Sequence, residues 1–337
     1  MGAVVGGHRL GVQVPVQHQP RPAPPGPPNT LEANAAYWKG RPTVDKLIFK
    51  PVPEAATRVA LLKTGEADIV TNLSPAIAQQ LAQEKGIKAK TVPSMLIIYF
   101  ALDETKPGPL QNALVRQAMN YAVDKEGIIG SILLGCGKLE ANPISPETFG
   151  YNSSIKPYPY DPARARQLLA EAGYPNGFTV DMVAPVGRYV KDKEVAEAVA
   201  AQLGQVGIRV NLQVLEYGVY TGVIRDPAKR PPMWMLGWGG YGTYHGDLTL
   251  FPLFRTGELY SASNNAELDA ILDRAIVTLD DATHVRLLQQ AQEIIHEEAL
   301  RLFLYQQVSI YGVSDRLDWS PRSDEDMVLW QVTGTGG

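Results

Sequence analysis

The chain has 337 residues and a formal net charge of −4, and no Lys/Arg cluster forms a basic stripe, which argues against nucleic acid as a partner. That length exceeds what a single hydrophobic core usually organises, so two units are expected. The lone cysteine, Cys136, rules out an internal disulfide, and no apolar run approaches the roughly 18 residues a membrane span needs.

Residues 1–29 hold six prolines between Pro20 and Pro28. That composition favours an extended, solvated chain over a packed one. It contains neither a hydrophobic signal core nor a lipoprotein cysteine, and Gly6 stands where a myristoylation signal needs Ser or Thr. From there strand and helix signals alternate. The patterns predict a strand over 47–51, a helix over 54–64 ended by Gly65, a strand over 67–70 and a helix over 75–84 ended by Gly86. Residues 96–102 are nearly all apolar and β-prone, as a strand buried on both faces would be. A Pro/Gly break at 107–110 marks a boundary between units.

The stretch 158–214 carries the densest signals. Asp161 before Pro162 suits an N-cap followed by proline at the first helical position, with Ala165, Leu168, Leu169 and Ala172 at helical spacing and Gly173 closing the helix. Pro175, Asn176 and Gly177 turn the chain into a strand that begins Phe178, Val180, Met182. Val195, Ala198, Val199, Gln202 and Leu203 form the stripe of a second helix. Gly207 ends it, and Ile208, Val210, Leu212 and Val214 alternate as a strand does. Strands alternating with amphipathic helices build a helix-covered sheet. Further on, a strand over 234–239, helices over 266–279 and 284–298, and a strand over 300–306 are expected.

Cys136 lacks a neighbouring His and is assigned a packing role. The five histidines form no metal-ligand spacing, and His296 has no second His four residues on. The segment MWMLGWGGYGTYHGDLTLFPLF, 233–254, is the best ligand-contacting candidate. A strand ends at Gly237 or Trp238, where α/β sheets bind small molecules. Gly239, Gly240, Gly242 and Gly246 then allow close backbone approach, while Trp238, Tyr241, Tyr244, His245 and Asp247 offer stacking and polar groups.

Five blocks carry a resemblance: LEANAAYWKGRPTVDKLIFKPVPEAATRVALLKTGEADIV at 31–70, VRQAMNYAVDKEGI at 115–128, DPARARQLLAEAGYPNGF at 161–178, GRYVKDKEVAEAVAAQLGQVGIRV at 187–210 and SNNAELDAILDRA at 263–275. In this order they resemble the extracytoplasmic solute-binding proteins of peptide-type ABC importers, which serve dipeptide, oligopeptide, nickel and glutathione uptake. The resemblance covers about 31–319. It implies a two-lobed α/β fold of the type II periplasmic-binding-protein kind, with 30–110 as part of lobe I, 111–307 as lobe II and 308–337 returning to lobe I. Family members start earlier, so lobe I is expected to be incomplete and 1–29 to be a disordered non-family tail.

The implied function is capture of a short peptide or similar small polar solute in an interlobe cleft and delivery to a membrane permease. It implies no catalysis, cofactor or metal, a monomeric state, and a periplasmic or cell-surface location despite the lack of a visible export signal. The 233–254 segment resembles the family's GWG loop with a downstream aspartate, which makes Asp247 the candidate partner of a ligand's α-ammonium. Tyr99, Tyr260 and Gln306 are secondary candidates, and Asn264 and Asp269 are read as capping and supporting a helix. Two alternatives remain open: a truncated, non-functional remnant of such a receptor, and a hydrolase using His245 and Asp247 as base and orienter.

Overall fold

A computed structural model describes residues 2–4, 28–52, 54–239, 243–329 and 332–334. The chain forms two compact units, one of Met1–Ser94 with Val308–Gly337 and the other of Met95–Gln307. The chain passes between them twice, within the strands Ile87–Leu102 and Arg301–Ser314.

The first unit is built on short antiparallel pairings. Lys46–Lys50 pairs with Asn29–Glu32 and with the backbone of Gly2–Val4, and Ile69–Val70 pairs with Gly312 and Val313. Leu47, Ile69, Tyr311, Val313 and Trp319 form its core. The helix Ala55–Lys63 follows the expected pattern, with Gly65 beyond it at φ +77°. Pro75–Leu81 is capped by Ser74 Oγ. Asn29, directly after the proline-rich segment, already pairs with Phe49.

The second unit is a three-layer α/β/α arrangement. Its strand neighbours run 301–307, 95–102, Met233–Trp238, Phe178–Val186 and Ile208–Glu216. The last three are mutually parallel, and Met233–Trp238 lies antiparallel to 97–102. Gly137–Leu139 adds an antiparallel pairing to Tyr305–Gln307.

All of residues 95–102 are buried. Ile98, Phe100 and Leu102 face one core, with the helices Ala113–Ala122, Pro162–Glu171 and Asp192–Gln205. Ile97, Tyr99 and Ala101 face the other, with Tyr217–Ile224, Asp247–Phe254, Ala266–Ala275 and Asp281–Glu297. This is the period-2 alternation of a strand, with both faces apolar because both are covered.

The βαβ stretch follows its local chemistry. Asp161 Oδ1 accepts from the Arg164 amide at 2.9 Å, and Gly173 and Gly207 sit at φ +89° and +96° after their helices. Gly177, at φ +74°, is obligatory: a Cβ there would lie 1.8 Å from the Gly207 carbonyl oxygen. The helix Tyr217–Ile224 and the helix Asp247–Phe254, with Pro252 inside it, are additions to the predicted elements.

Two expectations are corrected. Residues 95–110 belong to the second unit and not to lobe I, so the first passage lies at Ser94/Met95 and not at the Pro/Gly break. The reason is pairing and charge. Residues 97–102 are hydrogen-bonded to Met233–Trp238, and the buried Arg116 guanidinium donates to Leu110 O at 2.9 Å and Gln111 O at 3.2 Å while pairing with Glu104 at 3.1 Å. The break at 107–110 is a surface turn tied down by that arginine. The helix cap at the SNNAELD motif is also displaced by one residue. Asn265, not Asn264, accepts from the Leu268 amide at 3.0 Å, whereas Asp269 accepts from the Thr256 amide at 2.8 Å.

Lys125 is buried, its Nζ donating to Asn120 O at 2.7 Å and Tyr158 O at 3.3 Å. Burial lowers its pKa from 10.5 to about 7, against the opposing pull of Asp124. Between those values the unfolded chain holds a proton that the folded chain has released. Stability attributable to Lys125 therefore rises with pH through that window and is at its lowest below it. Urea unfolding of Lys125→Met between about pH 7 and 9 is expected to show a flatter pH dependence than the parent chain. An unchanged slope would mean that the lysine does not titrate there.

Candidate functional site

Two of the sequence-predicted residues, Trp238 and Tyr260, meet at the end of the strand Met233–Trp238. The Trp238 ring, half-buried, lies 5.4 Å from the Tyr260 ring at 59°, and Tyr260 Oη accepts from Arg225 Nε at 3.0 Å. Trp238 Nε1 donates to Leu248 O at 3.1 Å, which ties the aromatic pair to the first turn of the helix Asp247–Phe254. This is the C-terminal end of a strand parallel to Phe178–Val186, the end where α/β sheets hold ligands. A separate groove of about 340 Å³, lined in part by Thr179, Asp181, Asn211 and Pro232, lies at the other end of these strands and includes none of the predicted residues.

His245 and Asp247 come together in a second cluster. His245 Nδ1 lies 3.5 Å from Asp247 Oδ2, and Asp247 Oδ1 lies 3.0 Å from His284 Nε2. The side chains of His245, Asp247 and His284 are 37 %, 17 % and 9 % exposed. The Phe149 ring stacks on His245 at 4.7 Å and meets His284 edge-on at 5.7 Å. Sequence reading keeps the five histidines apart, but the fold sets the His245 and His284 rings 5.1 Å from each other. His284 was missed because it lies 37 residues from Asp247, in the first turn of another helix, Asp281–Glu297. No local spacing rule reaches that far.

The remaining predicted residues are placed differently. Tyr99 is 1 % exposed, in the core against Phe303 with ring centroids 5.7 Å apart. Gln306 is buried, and its Nε2 donates to Glu147 Oε2 at 3.0 Å. Gly240 and Tyr241, with Gly242, lie outside the described residues.

The described glycines of the loop lie against other parts of the protein. Gly239 and Gly246 admit close approach by protein backbone: a Cβ on Gly239 would lie 2.8 Å from Met95 O, and one on Gly246 2.9 Å from Phe149 O. Gly237 is similar, with a Cβ meeting the Ile98 and Tyr189 side chains at 2.6 Å, while its amide donates to Tyr189 Oη at 2.8 Å. Cys136 is half-buried, and desolvation raises its thiol pKa, consistent with a packing role.

The family profile described as bacterial extracellular solute-binding proteins, family 5 (middle), matches residues 25–260. The chain belongs to this family. Among curated relatives of this solute-binding protein, it is 36% identical to heme-binding protein A of Haemophilus influenzae over 286 residues, covering 79% of this chain and 49% of the relative. It is 32% identical to the dipeptide-binding protein of Escherichia coli K12 over 278 residues, covering 80% and 51%. The chain thus spans about half the length of the curated relatives it matches.

Among solved structures, DppA of Helicobacter pylori in complex with the peptide STSA superposes with a TM-score of 0.82 at 26% identity, covering 92% of this chain and 60% of that one. The dipeptide-binding protein of Pseudoalteromonas sp. SM9913 in complex with Met-Leu gives 0.79 at 26% identity, covering 91% and 61%. The fold of this chain is therefore the α/β fold of periplasmic peptide-binding proteins. Its family comprises solute-binding proteins and not enzymes, which sets aside the hydrolase alternative.

Gly246 is the joint of the second cluster, since its amide donates to Phe149 O at 3.1 Å directly before Asp247. Gly246→Ala is expected to destabilise the protein by about 1–3 kcal/mol through overpacking against Phe149 and Leu288. Chemical denaturation checks this, and a loss below about 0.5 kcal/mol would show that the joint yields.

Proposed function

We propose that this chain is the substrate-binding component of an ABC transporter, capturing a short peptide or similar small polar solute and delivering it to a membrane permease. One observation carries the reading: the backbone agrees over 92% of its length with a DppA that holds a peptide. The site chemistry supports it. Trp238 and Tyr260 offer aromatic faces beside the exposed Arg225 guanidinium, a combination suited to peptide side chains and a carboxylate terminus. Asp247 supplies a carboxylate nearby, on the helix that the Trp238 indole grips.

The protein would act outside the cytoplasmic membrane, as its family does, and no helix among the described residues is long and apolar enough to cross a bilayer. A monomer that holds its solute without altering it suffices for this role, and the net charge of −4 gives no attraction to nucleic acid.

Native mass spectrometry of the purified full chain is expected to reveal retained short peptides. Calorimetry with such a peptide is expected to show Trp238→Ala weakening affinity at least about tenfold, or ~1.4 kcal/mol. A ligand-free spectrum together with no thermal shift across a panel of di- to pentapeptides would overturn the proposal.

A further inference from the structure

His245, Asp247 and His284 form, among the described residues, a group of three metal-ligating side chains whose donor atoms all lie within 4.8 Å of one another. We propose that they bind a divalent transition-metal ion of the zinc class, through His245 Nδ1, the Asp247 carboxylate and His284 Nε2. The inference does not rest on peptide capture.

The donor set decides the class of ion. Two imidazoles and one carboxylate suit Zn²⁺, Ni²⁺, Co²⁺ or Cu²⁺, whereas Mg²⁺ and Ca²⁺ prefer all-oxygen sites. In a tetrahedral zinc site with bonds of about 2.0–2.2 Å, neighbouring donors lie roughly 3.3–3.5 Å apart. The contacts to Asp247, 3.0 Å to one carboxylate oxygen and 3.5 Å to the other, are of that order. Each carboxylate oxygen faces a different imidazole, so the carboxylate is shared between the two rings. His245 is the most exposed of the three side chains.

The frame around the ligands is built in advance, which is what a metal site requires of its scaffold. Phe149 N donates to Tyr244 O at 2.8 Å and Phe149 O accepts from Gly246 N at 3.1 Å, clamping the backbone on both sides of His245. Tyr244 is held at φ +53°, a left-handed conformation that a tyrosine seldom adopts. Asp247 opens one helix and His284 lies in the first turn of another. The Phe149 ring contacts both imidazoles and limits their rotation. With Asp247 bound through one oxygen, three protein donors leave one tetrahedral position for water or a donor atom of a solute.

The test uses the full chain, stripped by chelator and titrated with Zn²⁺ alone by calorimetry, with Co²⁺ as a spectroscopic probe. One equivalent is expected to bind, and Co²⁺ is expected to give visible d–d absorption. His245→Ala, at the half-exposed position, should weaken binding at least about tenfold, since even outer partners of metal ligands act on that scale. Asp247→Asn should do the same. The paired variant His8→Ala/His18→Ala, in the N-terminal segment, should leave the site intact. Circular dichroism and thermal melting of metal-free His245→Ala separate loss of a ligand from loss of fold. An isotherm unchanged in folded His245→Ala, or no binding to the parent chain, overturns the proposal. No peptide enters the titration, so its outcome is independent of solute capture.

Discussion

Residues 95–102 present no face to water, and the second unit is organised around that constraint. A strand buried on both sides must be covered by helices on both sides, and its two faces carry different chemistry. One face, with Ile98, Phe100 and Leu102, packs on purely apolar helix stripes. The other holds Tyr99 and Trp234 together with two buried guanidinium groups. Arg301 lies 4.5 Å from the Phe254 ring and 5.8 Å from Tyr99, and Arg230 lies 4.3 Å from Trp234. Burying a guanidinium is tolerable only where carbonyls accept its protons. Arg301 donates to Leu253 O at 2.6 Å and Leu300 O at 2.8 Å, and Arg230 donates to Leu259 O at 2.7 Å and Ser261 O at 3.2 Å. Those bonds fix the end of the helix Asp247–Phe254 and the segment around Tyr260. The buried arginines thereby set the positions of the candidate ligand-contacting side chains.

Three glycines at the described ends of the loop after the central strand make room for other parts of the protein. Gly237 admits the Tyr189 ring, Gly239 admits the Met95 backbone and Gly246 admits the Phe149 carbonyl. Each removes a Cβ where two segments of the second unit converge. Trp238 and Asp247 lie beside glycines that are packed in this way.

The aromatic pair and the histidine–aspartate cluster share one helix. Trp238 grips the carbonyl of Leu248, and Asp247, the residue before it, accepts from or faces two imidazoles. A group bound at either cluster would therefore act on the same turn of backbone. Relatives of this one fold carry names for heme, dipeptide and glutathione binding, which is the pattern expected when a common scaffold is re-equipped through loops of this kind.

The amino-acid sequence by itself determined the βαβ order, the capped helix start at Asp161, the glycine stops at Gly65, Gly173 and Gly207, the doubly buried strand and the family, because each depends on residues close together in the chain. It also pointed to the 238–247 loop, through the density of aromatic and glycine residues after a strand. Tertiary structure alone decided that 95–110 belongs to the second unit, since strand partners and the acceptors of Arg116 are set by long-range pairing. It likewise decided that Tyr99 packs in the interior. It alone brought His284 to Asp247 across 37 residues. Local patterns record the period of an element and where it stops; which side chains meet is settled by how helices stack on a sheet, and that is a property of the packed whole.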